Sequence, residues 1–442
     1  MLKIYNSLNH KKEEFKPLQD KKVGIYVCGP TVYAPSHLGH ARTWIFFDWL
    51  RRYLIYKDYK VKFVQNITDV GHLVGDTEEG EDKIEKIAKV EGKTPSEIAK
   101  TYEKAYFKNL EELNILKPSD SPRATENISE IIDYLEVLLK NGYAYEVSGN
   151  VYFNVSKFAQ YGKLSSRKTE KALQETRVKK DTLKKNQEDF ALWLKAEKEH
   201  LQKWPSPWGE GYPGWHIECS VMAEKNLGQP FDIHGGGTDN IFPHHENEIA
   251  QSWGYAQKPL ANYFLHSGML FVNHKKMSKS LGNFITISNA LEQWDADTIK
   301  LAFMMTHWQK PFDWGKSAIS EAKKIKERLV RAKMEAQDVK TGFPTEIEEV
   351  LDNDFNAPQA LALVLTQLSK LSKHDFEILE EIFGLELISV IHLTPKQKEM
   401  IKEREIAREK GDFKKADDIR KTLEKKGIIL EDTAIGTRVL TE

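Results

Sequence analysis

Residues 23–28 (VGIYVC) form a short β-branched and aromatic run that stops at Gly29-Pro30. A long apolar stretch follows at 41–57 (ARTWIFFDWLRRYLIYK), then a second short run at 61–64 that ends in QNITD. Their lengths and residue types predict a buried strand, a buried helix and another strand. A strand–helix–strand unit closes only as a right-handed crossover between parallel strands, so the chain is expected to build a parallel α/β sheet. Such sheets gather ligands at the carboxyl ends of their strands, where Cys28 and Thr68 fall.

The 442 residues suggest about three domains at ~150 residues each. With 40% hydrophobic and 30% charged residues the chain has the composition of an ordinary globular protein. A formal net charge of −1 advertises no global field for nucleic acid. Residues 1–15 are charged early and lack an apolar core, so no secretory signal is expected. No stretch approaches the ~18 uninterrupted apolar residues of a membrane span. With only two cysteines, a reducing cytoplasm is the expected setting.

Two short motifs stand out. HLGH (37–40) opens the predicted helix, with His37 and His40 three apart around Gly39. A helix start offers unpaired N–H groups to an anion, and a glycine admits close backbone approach. The plain alternative is a capping Ser36 followed by two surface histidines. KMSKS (276–280) sets Lys276 and Lys279 on a hydroxyl-rich loop after an apolar run; a solvated basic loop is its plain alternative. Together they can hold a triphosphate from both ends. HGGGTD (234–239) follows a strand-like FDI, so Gly235, Gly236 and Gly237 could admit a nucleotide and Asp239 accept from a ribose hydroxyl.

Cys28, Cys219, His244 and Glu248 could make a tetrahedral zinc site. His244 and Glu248 are four apart just after Pro243, which suits one face of a first helical turn. Two buried core thiols and a solvated His–Glu pair would explain the same residues. Trp215 could line a pocket or simply pack in the core.

GPTVYxxxHLGHAR, GWHIECS, DIHGGGTD, FPHHENEIAQS and KMSKSLGN, in this order, resemble the class I aminoacyl-tRNA synthetases, and within them the cysteinyl-tRNA synthetase family. That resemblance implies a doubly wound (Rossmann-type) catalytic domain with an inserted connective peptide, a helical bundle and a small C-terminal domain. The implied division is 1–115 and 205–265 for the two catalytic halves, 116–204 for the insertion, and 266–317 for the stem-contact region. A bundle at 318–394 and an anticodon-binding domain at 395–442 complete it. Cys28, Cys219, His244 and Glu248 would hold one zinc ion that takes the substrate thiolate. His37, His40, Lys276 and Lys279 would act on ATP phosphates. Gly39, Gly235, Gly236, Gly237 and Asp239 would line the nucleotide, and Thr68, Trp215, His216 and His234 the amino acid. The implied partners are ATP with Mg²⁺, L-cysteine and tRNA(Cys), for a monomeric ligase. A relative joining cysteine to an amino sugar, or a non-catalytic RNA binder, are the competing readings; the extension beyond residue 319 favours tRNA.

Residues 157–203 read as an exposed lysine-rich insertion. The helical segment 395–426 supplies Lys402, Arg404, Arg408, Lys414, Lys415, Arg420 and Lys421 as expected phosphate contacts. A solvated helix pair with alternating charge is the plain alternative there. The tail around Thr437-Arg438-Val439 departs from the Trp-containing ending common in the family.

Overall fold

The computed structural model describes residues 1–71, 82–166, 182–277, 281–340, 342–387, 395–425, 428–433 and 436–441. The chain forms two compact units, Met1–Leu385 and Glu386–Glu442. The first begins with a hairpin of β1 (Lys3–Asn6) and β2 (Lys11–Glu14). The predicted unit then follows: β3 (Lys22–Val27), α1 (Leu38–Tyr56) and β4 (Lys60–Gln65). Helices α2 (Lys83–Glu91) and α3 (Pro95–Glu112) come next. These two helices are separate because Gly92 ends α2 at φ +64° and a Thr94–Glu97 capping box with Pro95 starts α3.

Helix α4 (Ile128–Lys140) packs on an antiparallel sheet of β5 (Ala144–Val147), β6 (Asn150–Phe153), β7 (Phe190–Lys195) and β8 (Gly211–Pro213). Strands β5 and β6 pair as an antiparallel hairpin. The exposed reading of 157–203 is corrected at β7: FALWLK is a core strand, and Trp193 is fully buried. Its six residues are too few to show against the surrounding lysines, and the strand is defined by partners far along the chain.

The chain returns through α5 (Trp215–Leu227), β9 (Phe231–Gly237), a π-type turn (Ile241–His245), α6 (Glu246–Ala256) and β10 (Ala261–Ser267). The sheet runs β10–β9–β3–β4, every neighbour parallel. Successive connections leave β3 in opposite directions, so a crevice forms at the carboxyl ends of β3 and β9. Helix α1 is apolar almost all round because it is covered on both sides. Phe47 packs on the sheet at Gly235, whose added Cβ would lie 2.2 Å from Phe47 Cζ. On the other side Phe46 stacks on Trp308 at 4.4 Å, and Trp49 Nε1 donates to Phe383 O at 2.9 Å.

A small sheet of β11 (Leu270–Val272), β12 (Lys275–Lys276) and β13 (Phe312–Trp314) follows. Buried Arg42 of α1 ties it to the main domain, donating to the carbonyls of Met269, at 2.9 Å, and Lys310, with its guanidinium over Phe312. Burial pulls this guanidinium down to about 10, still charged at neutral pH. Helices α7 (Ile287–Leu291), α8 (Ala296–Met304), α9 (Lys316–Glu335), α10 (Thr345–Asp352), α11 (Ala357–Gln367) and α12 (Lys373–Phe383) complete the unit. The second unit pairs α13 (Pro395–Glu409) and α14 (Phe413–Glu424) with a hairpin of β14 (Ile428–Thr433) and β15 (Gly436–Thr441). There Arg404 is buried and bidentate to Asp432, at 2.8 and 2.7 Å, so it is corrected from a phosphate contact to a structural residue.

Gly235→Ala should therefore lower the stability of the first unit by about 1–3 kcal/mol, because Phe47 has no room to retreat from the sheet. Denaturant titration checks this, and adding Phe47→Leu should recover part of the loss.

Candidate active site and metal centre

Cys28 directly follows β3, and its N–H donates to Gly235 O at 3.1 Å, which sets it at the crevice. The next residue must be glycine: a Cβ on Gly29 would sit 1.6 Å from Asn66 O. Helix α5 brings in Cys219, while the π-type turn and α6 bring His244 and Glu248. One ligand atom from each of these four residues lies within 4.8 Å of all the others. Cys219, His244 and Glu248 are buried, and Cys28 is half-buried. His244 Nε2 lies 3.2 Å from Glu248 Oε1, and Cys28 Sγ lies 3.8 Å from the same oxygen. The expected His–Glu juxtaposition is thus present, with His244 in the turn and Glu248 in the first turn of α6.

Two thiolates, an imidazole and a carboxylate match the donor set of a tetrahedral zinc site. Burial, then the hydrogen bond with Cys219, pushes the Cys28 thiol well above its ordinary range. Metal binding to such a site must release protons. A second set, Cys28 with His234, His245 and Glu248, is equally close. It offers one sulfur instead of two, and both its histidines have other work behind the ligands. His234 Nε2 lies 2.8 Å from Glu248 Oε2 and its Nδ1 3.2 Å from Tyr26 O. His245 Nε2 lies 3.2 Å from Cys28 Sγ, and its Nδ1 contacts His266, which reaches Ser7. These are the supporting contacts that orient metal ligands.

His234 is fully buried behind Glu248, with its Nε2 2.8 Å from the outer carboxylate oxygen. Thr68 is 2% exposed, and its hydroxyl donates to Glu218 at 3.0 Å and accepts from Asn66, which seals it inside the loop. Gly235 lacks a side chain for Phe47, not for a nucleotide. Gly236 and Gly237 lie at the strand end against Asn240, His245 and Asp239, and Asp239 is exposed. Trp215 stands 4.7 Å from the His244 ring, and His216 Nδ1 lies 2.7 Å from His244 Nδ1. His245 and His266 were missed by motif reading. The doubled histidine of PHHENE and a histidine near the carboxyl end of β10 were the available signals.

The HLGH turn lies beside Met277 and residues 285–287. His37, not Ser36, caps α1: His37 Nδ1 accepts from His40 N, and His40 Nδ1 accepts from His37 N, both at 3.3 Å. An accepting Nδ1 places the proton of each neutral ring on Nε2. The rings stack at 3.6 Å, and burial, then the neighbouring His37, pushes His40 well below the usual imidazole range. Leu38 N donates to Ile285 O, and Ile287 N to Ser36 O, tying the HLGH entry to the chain beyond KMSKS. Met277 Cε would be 3.6 Å from a Cβ on Gly39. Lys276 is exposed on β12, whereas Lys279 lies outside the described residues.

Residues 14–324 match the family described as tRNA synthetases class I (C) catalytic domain. Residues 392–439 match the cysteinyl-tRNA ligase anticodon binding domain. A cysteine–tRNA ligase of Chlorobium chlorochromatii is 48% identical over 379 residues, covering 84% of this chain and 78% of the relative. One from Thermodesulfovibrio yellowstonii is 40% identical over 486 aligned residues and covers 98% of each chain. Among solved structures, Mycobacterium tuberculosis methionyl-tRNA synthetase in complex with methionyl-adenylate shares the fold. Its TM-score is 0.59 at 14% identity, over 82% of this chain and 88% of that one.

His234→Asn should weaken metal affinity by about 10–100-fold by freeing the outer oxygen of Glu248, while leaving the fold intact. Chelator competition measures the first and circular dichroism the second.

Proposed function

The chain belongs to the cysteinyl-tRNA synthetase family and is a cysteine–tRNA ligase, and from that premise we propose that it selects its amino acid through one zinc ion held by Cys28, Cys219, His244 and Glu248. The observation that carries the reading is the convergence of two thiols, an imidazole and a carboxylate from three separated segments within 4.8 Å. When bound to these four residues, zinc would take the substrate's thiolate as a fifth ligand and favour that ionised sulfur over a serine hydroxyl. An apolar pocket separates such near-isosteres by only ~10²-fold. Cys28 and Cys219 supply the soft donors, His216 and His234 orient His244 and Glu248, and Trp215 walls the pocket.

The anchored amino acid presents its carboxylate toward the HLGH turn. Attack on the α-phosphorus of ATP, with pyrophosphate leaving in line, builds negative charge on phosphoryl oxygens. His37 and His40, each with its proton on Nε2, would donate to those oxygens beside the N-terminus of α1. Lys276 and Lys279 would neutralise the leaving pyrophosphate, with Mg²⁺ accompanying the nucleotide. Gly39, Gly236, Gly237 and Asp239 remain the proposed nucleotide contacts. The second step moves cysteine from adenylate to the terminal adenosine of tRNA, with 395–442 reading the anticodon. The family division at 115, 204, 265, 317 and 394, a monomeric state and a cytoplasmic setting belong to the same proposal. No helix among the described residues is long and apolar enough to cross a membrane. The match to an anticodon-binding domain disfavours an amino-sugar acceptor.

Cysteine-dependent ATP–pyrophosphate exchange should proceed with serine reduced by more than about 10²-fold, beyond what an apolar pocket allows. Comparable exchange with both amino acids refutes zinc selection. Cys219→Ala should lose the metal and its cysteine affinity yet keep ATP binding; a full zinc equivalent in that variant refutes the ligand set.

A further inference from the structure

Helix α2 starts at Lys83 behind Asp82, whose carboxylate accepts from Glu85 N at 2.8 Å. The half-buried Lys83 ammonium lies 5.7 Å from the ring centre of Trp215 and 5.9 Å from that of Tyr33. Trp215 in turn stands 4.7 Å from His244, ring centre to ring centre. The helix carrying Lys83 is anchored from several directions. Leu201 N donates to Glu85, and His200 Nδ1 lies 3.5 Å from the same carboxylate. The neighbouring Gln202 is held to the loop after β4, donating to Asp69 O at 2.9 Å and accepting from Gly71 N at 3.0 Å. On its inner face α2 buries Ile84 and Ala88 with Ile98, and Tyr33 packs on that cluster.

A lysine between two aromatic faces within about 6 Å gains cation–π attraction that offsets partial desolvation. An apolar filler would serve the packing alone. We propose that Lys83 is a positioning residue of the amino-acid pocket: its ammonium, between Tyr33 and Trp215, holds the indole against His244 and sets the pocket wall that cysteine meets. The proposal rests on the reading of Trp215 as that wall. It adds a determinant from α2, a helix that contributes none of the four donors, and makes residues 200–202 the brace that keeps it in place.

The test compares full-length Lys83→Met and Lys83→Arg with the unaltered enzyme. Bound zinc, L-cysteine affinity by equilibrium dialysis, and KM and kcat in pyrophosphate exchange are all measured. Lys83→Met should raise the cysteine Kd and KM by about fivefold to tenfold, and Lys83→Arg should stay within about twofold. Zinc content, kcat and the KM for ATP should not change in either. Unchanged cysteine affinity in Lys83→Met, an equal loss in Lys83→Arg, or loss of zinc from either variant overturns the proposal. Unaltered enzyme without zinc removes the metal pocket and this proposal together; zinc-loaded enzyme with an unresponsive Lys83→Met removes this proposal alone.

Discussion

The donor cluster at the carboxyl edge of the sheet is the constraint on which the rest of the structure depends. Two sulfurs, an imidazole and a carboxylate are held in a buried space within 4.8 Å of one another. Burying a carboxylate is costly unless a cation or hydrogen bonds compensate. The outer contacts are arranged for that purpose: His234 on the far oxygen of Glu248, His216 on His244, and His245 on Cys28. Each supporting histidine comes from an element that the parallel sheet already places at this edge. The fold therefore fixes the site through the end of β3, β9, α5, the π-type turn and α6.

The nucleotide half is built around α1. The helix that opens with His37 is clamped between Gly235 of the sheet and Trp308, Phe355 and Phe383 of the helical region. Its first turn is stitched by backbone hydrogen bonds to 285–287, just beyond KMSKS. The HLGH turn is thus joined to the segment that follows KMSKS through a few fixed contacts. Arg42 fastens the same helix to the sheet that carries β11 and β13. The HLGH turn and the donor cluster share one rigid frame, which the proposed in-line transfer requires.

Much of this was legible in sequence because it is written locally. The β3–α1–β4 unit follows from the lengths and residue types of three consecutive runs, and His244 with Glu248 from a four-residue spacing. The motif resemblance supplied the family. What could not be read depends on distant neighbours. Gly235 looks like a nucleotide glycine until Phe47 is seen against it. The burial of His234 against Glu248 and of Thr68 against Glu218 is set by residues far along the chain. Arg404 looks like a phosphate ligand until β14 brings Asp432 beside it. Strand β7 is hidden because its partners β6 and β8 lie outside its own lysine-rich surroundings.

X-ray absorption at the zinc edge of purified enzyme, recorded with and without L-cysteine, tests the central claim most directly. The account predicts two sulfur neighbours near ~2.3 Å in the free enzyme and three once cysteine is added, with no change on adding serine. A sulfur count that does not rise with cysteine, or active enzyme without stoichiometric zinc, would contradict it.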